Sequence, residues 1–219
     1  MYHVVMDLEM NPISREYREV RRSLTDEVIE IGAVRLDDSF QQVSEFQCYV
    51  MPEYGEIKKH ITRLTSITNE MVEGHPHFAE AFRRFMEWIG EEEVTIYSWS
   101  MSDLKQFRNE CRYKLKEFDT RWLTAHWVDL QKQFDDRLGL HNHLALKHAL
   151  GAMDRNFEGT QHTALADAAN TAAILALMQD DEKFRRMMQP VLDLLKPKED
   201  LAESIGELCP ELMKLKGEL

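Results

Sequence analysis

The chain has 219 residues, 43% of them hydrophobic, which is enough for one substantial domain with an extension or for two small domains, and too apolar for disorder. Its 27 basic and 39 acidic residues give a formal charge of −12. That balance argues against a protein that coats nucleic acid through a basic surface, but it allows an enzyme whose bound cations supply the positive charge. The longest nearly unbroken apolar run, 171–178, is far short of the ~20 residues of a membrane span. The first apolar stretch carries Asp7 and Glu9, so it reads as a strand rather than a cleavable leader. Cys48, Cys111 and Cys209 are scattered, form no disulfide framework and have no zinc spacing, which fits a reducing cytoplasm.

In chain order, residues 2–9 read as a strand ending in carboxylates. Residues 10–27, with Pro12, Arg15, Arg18, Arg21 and Arg22, read as an exposed loop. Val28–Leu36 and Glu45–Met51 read as two more strands, and Asp37, Asp38 and Ser39 between them supply turn chemistry for an antiparallel pair. Phe78, Phe82, Phe85, Met86 and Ile89 recur at helical spacing until Gly90. Val94–Tyr97 is a short strand, Asp103–Phe118 helical and His126–Leu130 strand-like. Leu144–Leu150 is a short helix capped by Asn142 and closed by Gly151, and Ala164–Met178 is a long alanine-rich helix. This order predicts an α/β mixed sheet, three antiparallel strands plus parallel strands, flanked by helices. Residues 1–180 form the expected domain. Residues 181–219, cut by Pro190, Pro197 and Pro210 into short helices, form an extension that packs on the domain or on a second copy in a homodimer.

Three segments could carry chemistry, and each has an ordinary explanation when taken alone. Asp7 and Glu9 share one face of a strand, where two carboxylates repel unless a cation lies between them; a solvated edge strand would also carry them. Asp103 follows a strand at a helix start, which delivers it to a sheet edge where α/β sites lie, yet Ser100-x-x-Asp103 is also the spacing of a capping box. His162 and Asp167 are five apart, roughly 140° around a helix, so they converge only if His162 precedes the helix and Asp167 lies in its early turns. Ala164, Ala168 and Ala172 would let that helix press against the sheet. Together, four carboxylates can hold two divalent cations, and an imidazole beside them can accept a proton from water, an assembly suited to phosphodiester hydrolysis.

Val5-Met-Asp7-Leu-Glu9, Asp103 early in a helix after a strand, and His162-x4-Asp167 resemble the three motifs of the DEDDh exonucleases of the DnaQ-like superfamily, which have an RNase H-like fold. Asp26-Glu-Val-Ile-Glu-Ile-Gly-Ala-Val34 resembles their second strand, and Ile61–Thr68 a segment that follows it. His162–Ala172 is most similar to the KapD-like and histone-mRNA-exonuclease-like branch, and the resemblance spans residues 2 to 179. It implies a 3′–5′ exonuclease in which Asp7, Glu9, Asp103 and Asp167 hold two Mg²⁺ or Mn²⁺ ions and His162 takes the proton of the attacking water. The products would be nucleoside 5′-monophosphates. The branch favours single-stranded RNA over DNA, and Met10, with Leu8, would contact the terminal base. Met10 and the segment 11–25 depart from the family pattern. Two rival readings are a silent domain acting through partners and a hydrolase of mononucleotides.

His141-Asn-His143 with His148 lacks the spread of an HNH site. Glu30 is expected to make an ion pair or a sheet contact, His75-Pro-His77 to form a turn opening the next helix, and Arg15–Arg22 and Lys58–Arg63 to be the local basic segments.

Overall fold

The computed structural model describes residues 1–140, 143–153, 157–160 and 162–195. The first strand, β1 (Tyr2–Pro12), lies at the centre of a five-stranded sheet of order β3-β2-β1-β4-β5. It pairs antiparallel with β2 (Asp26–Leu36), which pairs antiparallel with β3 (Gln42–Tyr49). On its other side β1 runs parallel to β4 (Val94–Ser98), which runs parallel to β5 (Trp127–Asp129). This is the expected mixed sheet of the RNase H-like fold.

Both faces of β1 are buried, and its side chains alternate between two cores. Val4, Met6 and Leu8 join the core with Phe78 and Phe85 of α3 (Phe78–Ile89) and Leu104 and Phe107 of α4 (Ser102–Lys114). Val5 joins the opposite core. That core is closed by α6 (Leu130–Leu138), α7 (Leu146–Ala152), α8 (Ala164–Met178) and α9 (Asp181–Leu195). Asp7 and Glu9 follow Val5 by two and four residues, so they face α8.

Two devices set the helices on the sheet. Ala164, Ala168 and Ala172 of α8 are buried, as their four-residue spacing predicts. Gly32 of β2 lets the helix touch the sheet backbone, since a Cβ there would lie 2.1 Å from Leu165 N. On the other face, Glu110 accepts the Val28 amide at 2.9 Å beside a bulge at Glu9/Met10, and Gln106 donates to Asp26 O at 2.8 Å. Lys114 joins Glu110 (2.8 Å) to Glu27 (2.7 Å), which pins α4 along β2.

Several boundaries differ from the sequence reading. The segment 10–27 is no simple exposed loop, because β1 continues to Pro12, β2 begins at Asp26, and Asn11, Ile13 and Leu24 are buried. Pairing with β2 extends β1 through Pro12, since proline gives up only an N–H. The polar segments Lys59–Thr65 (α1), Asn69–Val72 (α2), Arg121–His126 (α5) and Leu130–Leu138 (α6) are helices whose short apolar faces gave no clear period. Helix α4 stops at Lys114, and α7 starts after Ala145 and includes Gly151. Asn142, its expected cap, lies outside the described residues, as do His141, Cys209, Pro197 and Pro210. Pro190 does not break the tail, because it sits inside α9. Phe184 and Met188 of α9 are buried in the α8-side core, with Arg137 stacked 4.3 Å over the Phe184 ring. Among the described residues, no helix is long and apolar enough to cross a membrane.

Candidate active site

β4 accompanies β1 only from Tyr2 to Val5, whereas β2 follows it to Pro12. Beyond Val5 the amides on the vacant edge need other partners. Asp103, in the first turn of α4, supplies one: its Oδ1 accepts the Leu8 amide at 3.2 Å. Asp103 is therefore fastened to β1 between Asp7 and Glu9. The capping-box explanation fails, because the residue before α4 is Met101, without a side-chain cap, and Ser100 Oγ accepts from Ser102 N at 3.3 Å.

The third segment arrives with α8. His162 lies two residues before the helix in the left-handed region (φ 61°), and Asp167 lies in the first turn, its amide donating to Thr163 O at 3.0 Å. Asn170 ties the preceding loop to the helix, accepting the Glu158 amide at 3.1 Å and donating to Glu158 O at 2.8 Å. One ligand-capable atom from each of Glu9, His162 and Asp167 comes within 4.8 Å of the others. Asp7 and Asp103 stand outside that tight trio but line the same cavity, of about 370 Å³. Leu8 and Met10 line it too, with Trp99, Lys147 and Phe157, which the sequence reading passed over. Trp99 is held by donating its indole N–H to Leu144 O at 3.0 Å.

The carboxyls are crowded and poorly compensated. Burial, and then the charges of Asp103, Asp167, Glu9 and Glu30, hold Asp7 well above the usual carboxylate range. Burial and Asp167 push Glu9 to about 8. Burial raises Asp103 to about 7 against the pull of its hydrogen bonds, and Asp167 to about 6 against the attraction of His162. Among the described residues, none of these four carboxyls makes an ion pair. Hard oxygen donors that repel one another with no cationic side chain paired to them among the described residues fit a hard divalent cation.

Glu30 makes the expected sheet contact, its Oε1 accepting the Gln47 side-chain amide of β3 at 2.6 Å, and among the described residues it makes no ion pair. Its Oε2 accepts the Ala164 amide at 3.0 Å, a contact the sequence did not suggest, and it stands opposite Glu9 in the register. His143, by contrast, is an exposed ring whose Nδ1 lies 2.9 Å from Asp135, outside the cavity lining.

An exonuclease family model, that of RNase T, matches residues 4–175. The chain is 33% identical over 178 residues to the PolC-type DNA polymerase III of Clostridium perfringens, covering 79% of this chain but only 11% of that protein. It is 23% identical over 188 residues to the probable 3′-5′ exonuclease KapD of Bacillus subtilis, covering 85% of this chain and 89% of KapD. Its fold is similar to that of the nuclease domain of 3′hExo, a DEDDh family member bound to rAMP, with a TM-score of 0.70 at 21% identity, over 82% of this chain and 92% of that one. The chain belongs to the exonuclease family of RNase T, the DEDDh family of 3′–5′ exonucleases.

Proposed function

We propose that this exonuclease shortens single-stranded RNA from its 3′ end, releasing nucleoside 5′-monophosphates. The observation that carries the reading is the convergence of Asp7, Glu9, Asp103, His162 and Asp167 on one cavity. Asp7, Glu9, Asp103 and Asp167 would hold two Mg²⁺ or Mn²⁺ ions, their donor set being oxygen-rich and short of positive charge. Such ions supply Lewis acidity to water and phosphate when bound. His162 takes the proton of the attacking water, a role open to an exposed imidazole beside two carboxyls. Leu8 and Met10 offer apolar contact to the terminal base, and Lys147 gives the cavity a cation for the phosphate backbone. A cavity of about 370 Å³ is near the lower end of small-ligand pockets, roughly 300–1,000 Å³, so it suits a splayed terminal nucleotide better than a paired end.

RNA is favoured over DNA by the likeness to 3′hExo, whose nuclease domain was solved with rAMP. The PolC relative is by name a DNA polymerase, so DNA is the competing substrate. A second assignment has its own support: the closeness of His162 to Glu9 and Asp167 would also suit a metal ligand. Homodimerisation through residues 181–219 is a separate proposal, read by sedimentation of the full chain, where a monomer would overturn it.

The test uses 5′-labelled RNA and DNA of the same sequence, with free or blocked 3′ ends, in Mg²⁺, Mn²⁺ or EDTA. Stepwise, metal-dependent shortening from a free 3′ end, faster on RNA, is expected. Equal or faster shortening of DNA would overturn the substrate assignment, and release from mononucleotides alone would overturn the reading.

A further inference from the structure

Glu30 is buried on β2, opposite Glu9 on β1, and the chemistry above gives it no part. Both its oxygens are engaged, one by the amide of Ala164, the first residue of α8, and one by Gln47 of β3. Helix α8 has no side-chain cap of its own, since the Thr163 hydroxyl is spent on Thr160 O at 3.0 Å. A carboxylate from another strand thus stands where an N-cap would, at the helix end that favours an anion. Two residues along β2, Gly32 lets the same turn of α8 rest on the sheet backbone. His162 lies two residues before Ala164, and Asp167 three after it.

We infer that Glu30 is a positioning residue for this reaction: by fastening the first turn of α8 to β2, it sets His162 and Asp167 against Glu9. The inference rests on the reading of those three as part of the catalytic centre. Glu30 is placed to act by position and not as a further ligand, because its oxygens already accept from Ala164 and Gln47. Its charge also reaches the site, raising Glu9 and Asp167, so position and charge have to be separated.

Two substitutions do this in the full chain at saturating Mn²⁺. Glu30→Gln keeps an acceptor oxygen in place and removes the charge. Glu30→Asp keeps the charge and withdraws the acceptor by one methylene. With a labelled single-stranded oligonucleotide, Glu30→Gln is expected to keep kcat within about 3-fold, while Glu30→Asp loses about 10–100-fold in kcat with little change in KM, the scale of lost outer-shell support. Wild-type kcat in Glu30→Asp, even with a lowered Tm, would overturn the inference. So would a Glu30→Gln variant as slow as Glu30→Asp, which would assign the effect to charge. If Glu30→Asp does not fold, Glu30→Gln decides alone: kcat within about 3-fold supports the inference, and a loss of about 10-fold or more assigns the effect to charge and overturns it. Asp7→Asn run in parallel separates the two claims. An inactive Asp7→Asn with an unimpaired Glu30→Asp removes only the role of Glu30, whereas an active Asp7→Asn removes the catalytic-centre reading and this inference with it.

Discussion

Replacing Gly32 with alanine should disable the enzyme without touching a carboxylate. The added Cβ would lie 2.1 Å from Leu165 N, 2.2 Å from Ala164 C and 2.6 Å from Ala164 O, all main-chain atoms that no rotamer change can move. Ordinary contact begins near 3.4 Å, so the start of α8 must retreat by about 1.3 Å. Overpacking of this kind costs about 2–3 kcal/mol, which for a chain of this size lowers Tm by roughly 4–12 °C. The same retreat carries His162 and Asp167 away from Glu9, and a displacement near 1 Å in a catalytic group can cost about 100-fold in rate. Calorimetric melts give the first quantity, and kcat at saturating oligonucleotide and metal, measured well below Tm, gives the second. A lowered Tm with wild-type kcat would refute the link between the Gly32 contact and the site; wild-type values of both would refute the packing argument.

Asp103→Asn should keep the acceptor for the Leu8 amide and so preserve Tm while abolishing turnover, whereas Asp103→Ala should also lose about 1–3 kcal/mol by orphaning that buried amide; equal Tm values in denaturation of the two variants would count against the fastening role. The raised carboxyls set a pH dependence. Between the ordinary carboxylate range and about pH 8, the folded protein in EDTA retains protons on Asp7, Glu9, Asp103, Asp167 and Glu110 that the unfolded chain has released, so stability falls as pH rises. Melts in EDTA should show Tm dropping from pH 5 to pH 8, with Mg²⁺ restoring more at pH 8 than at pH 5; a flat or rising Tm in EDTA would contradict the crowding. His162→Ala should lower kcat about 100–10,000-fold with Mn²⁺ affinity within about 3-fold, as a proton acceptor requires; a Mn²⁺ affinity weakened more than 10-fold in titration would make His162 a ligand instead.

Long apolar patterns made much of the fold legible. The alternation in β1, the phenylalanines of α3 and the alanines of α8 each report burial directly, and they fixed the sheet and its main helices. The short helices from Lys59 to Thr65 and from Leu130 to Leu138 were not legible, because each buries only two to four side chains and its period is lost among charges. Pro190 was misleading for a related reason: packing of Phe184 and Met188 carries α9 through it. At the site, Asp7 with Glu9 and His162 with Asp167 could be read from strand and helix spacing. Asp103 was ambiguous until the Leu8 amide appeared as its partner, since that contact joins residues 95 apart in the chain. Trp99, and for Glu30 the bond to α8 beyond its expected sheet contact, stayed hidden because they depend on Leu144 and Ala164, main-chain partners that no local pattern announces.

The central claim is that four acidic side chains gather to load two divalent cations, and titration calorimetry with Mn²⁺ at pH 7.5 addresses it most directly. Wild-type chain is predicted to bind two ions, and Asp7→Asn, still folded, to lose at least one. Absence of Mn²⁺ binding by the wild-type chain, or binding that Asp7→Asn leaves unchanged, would contradict it.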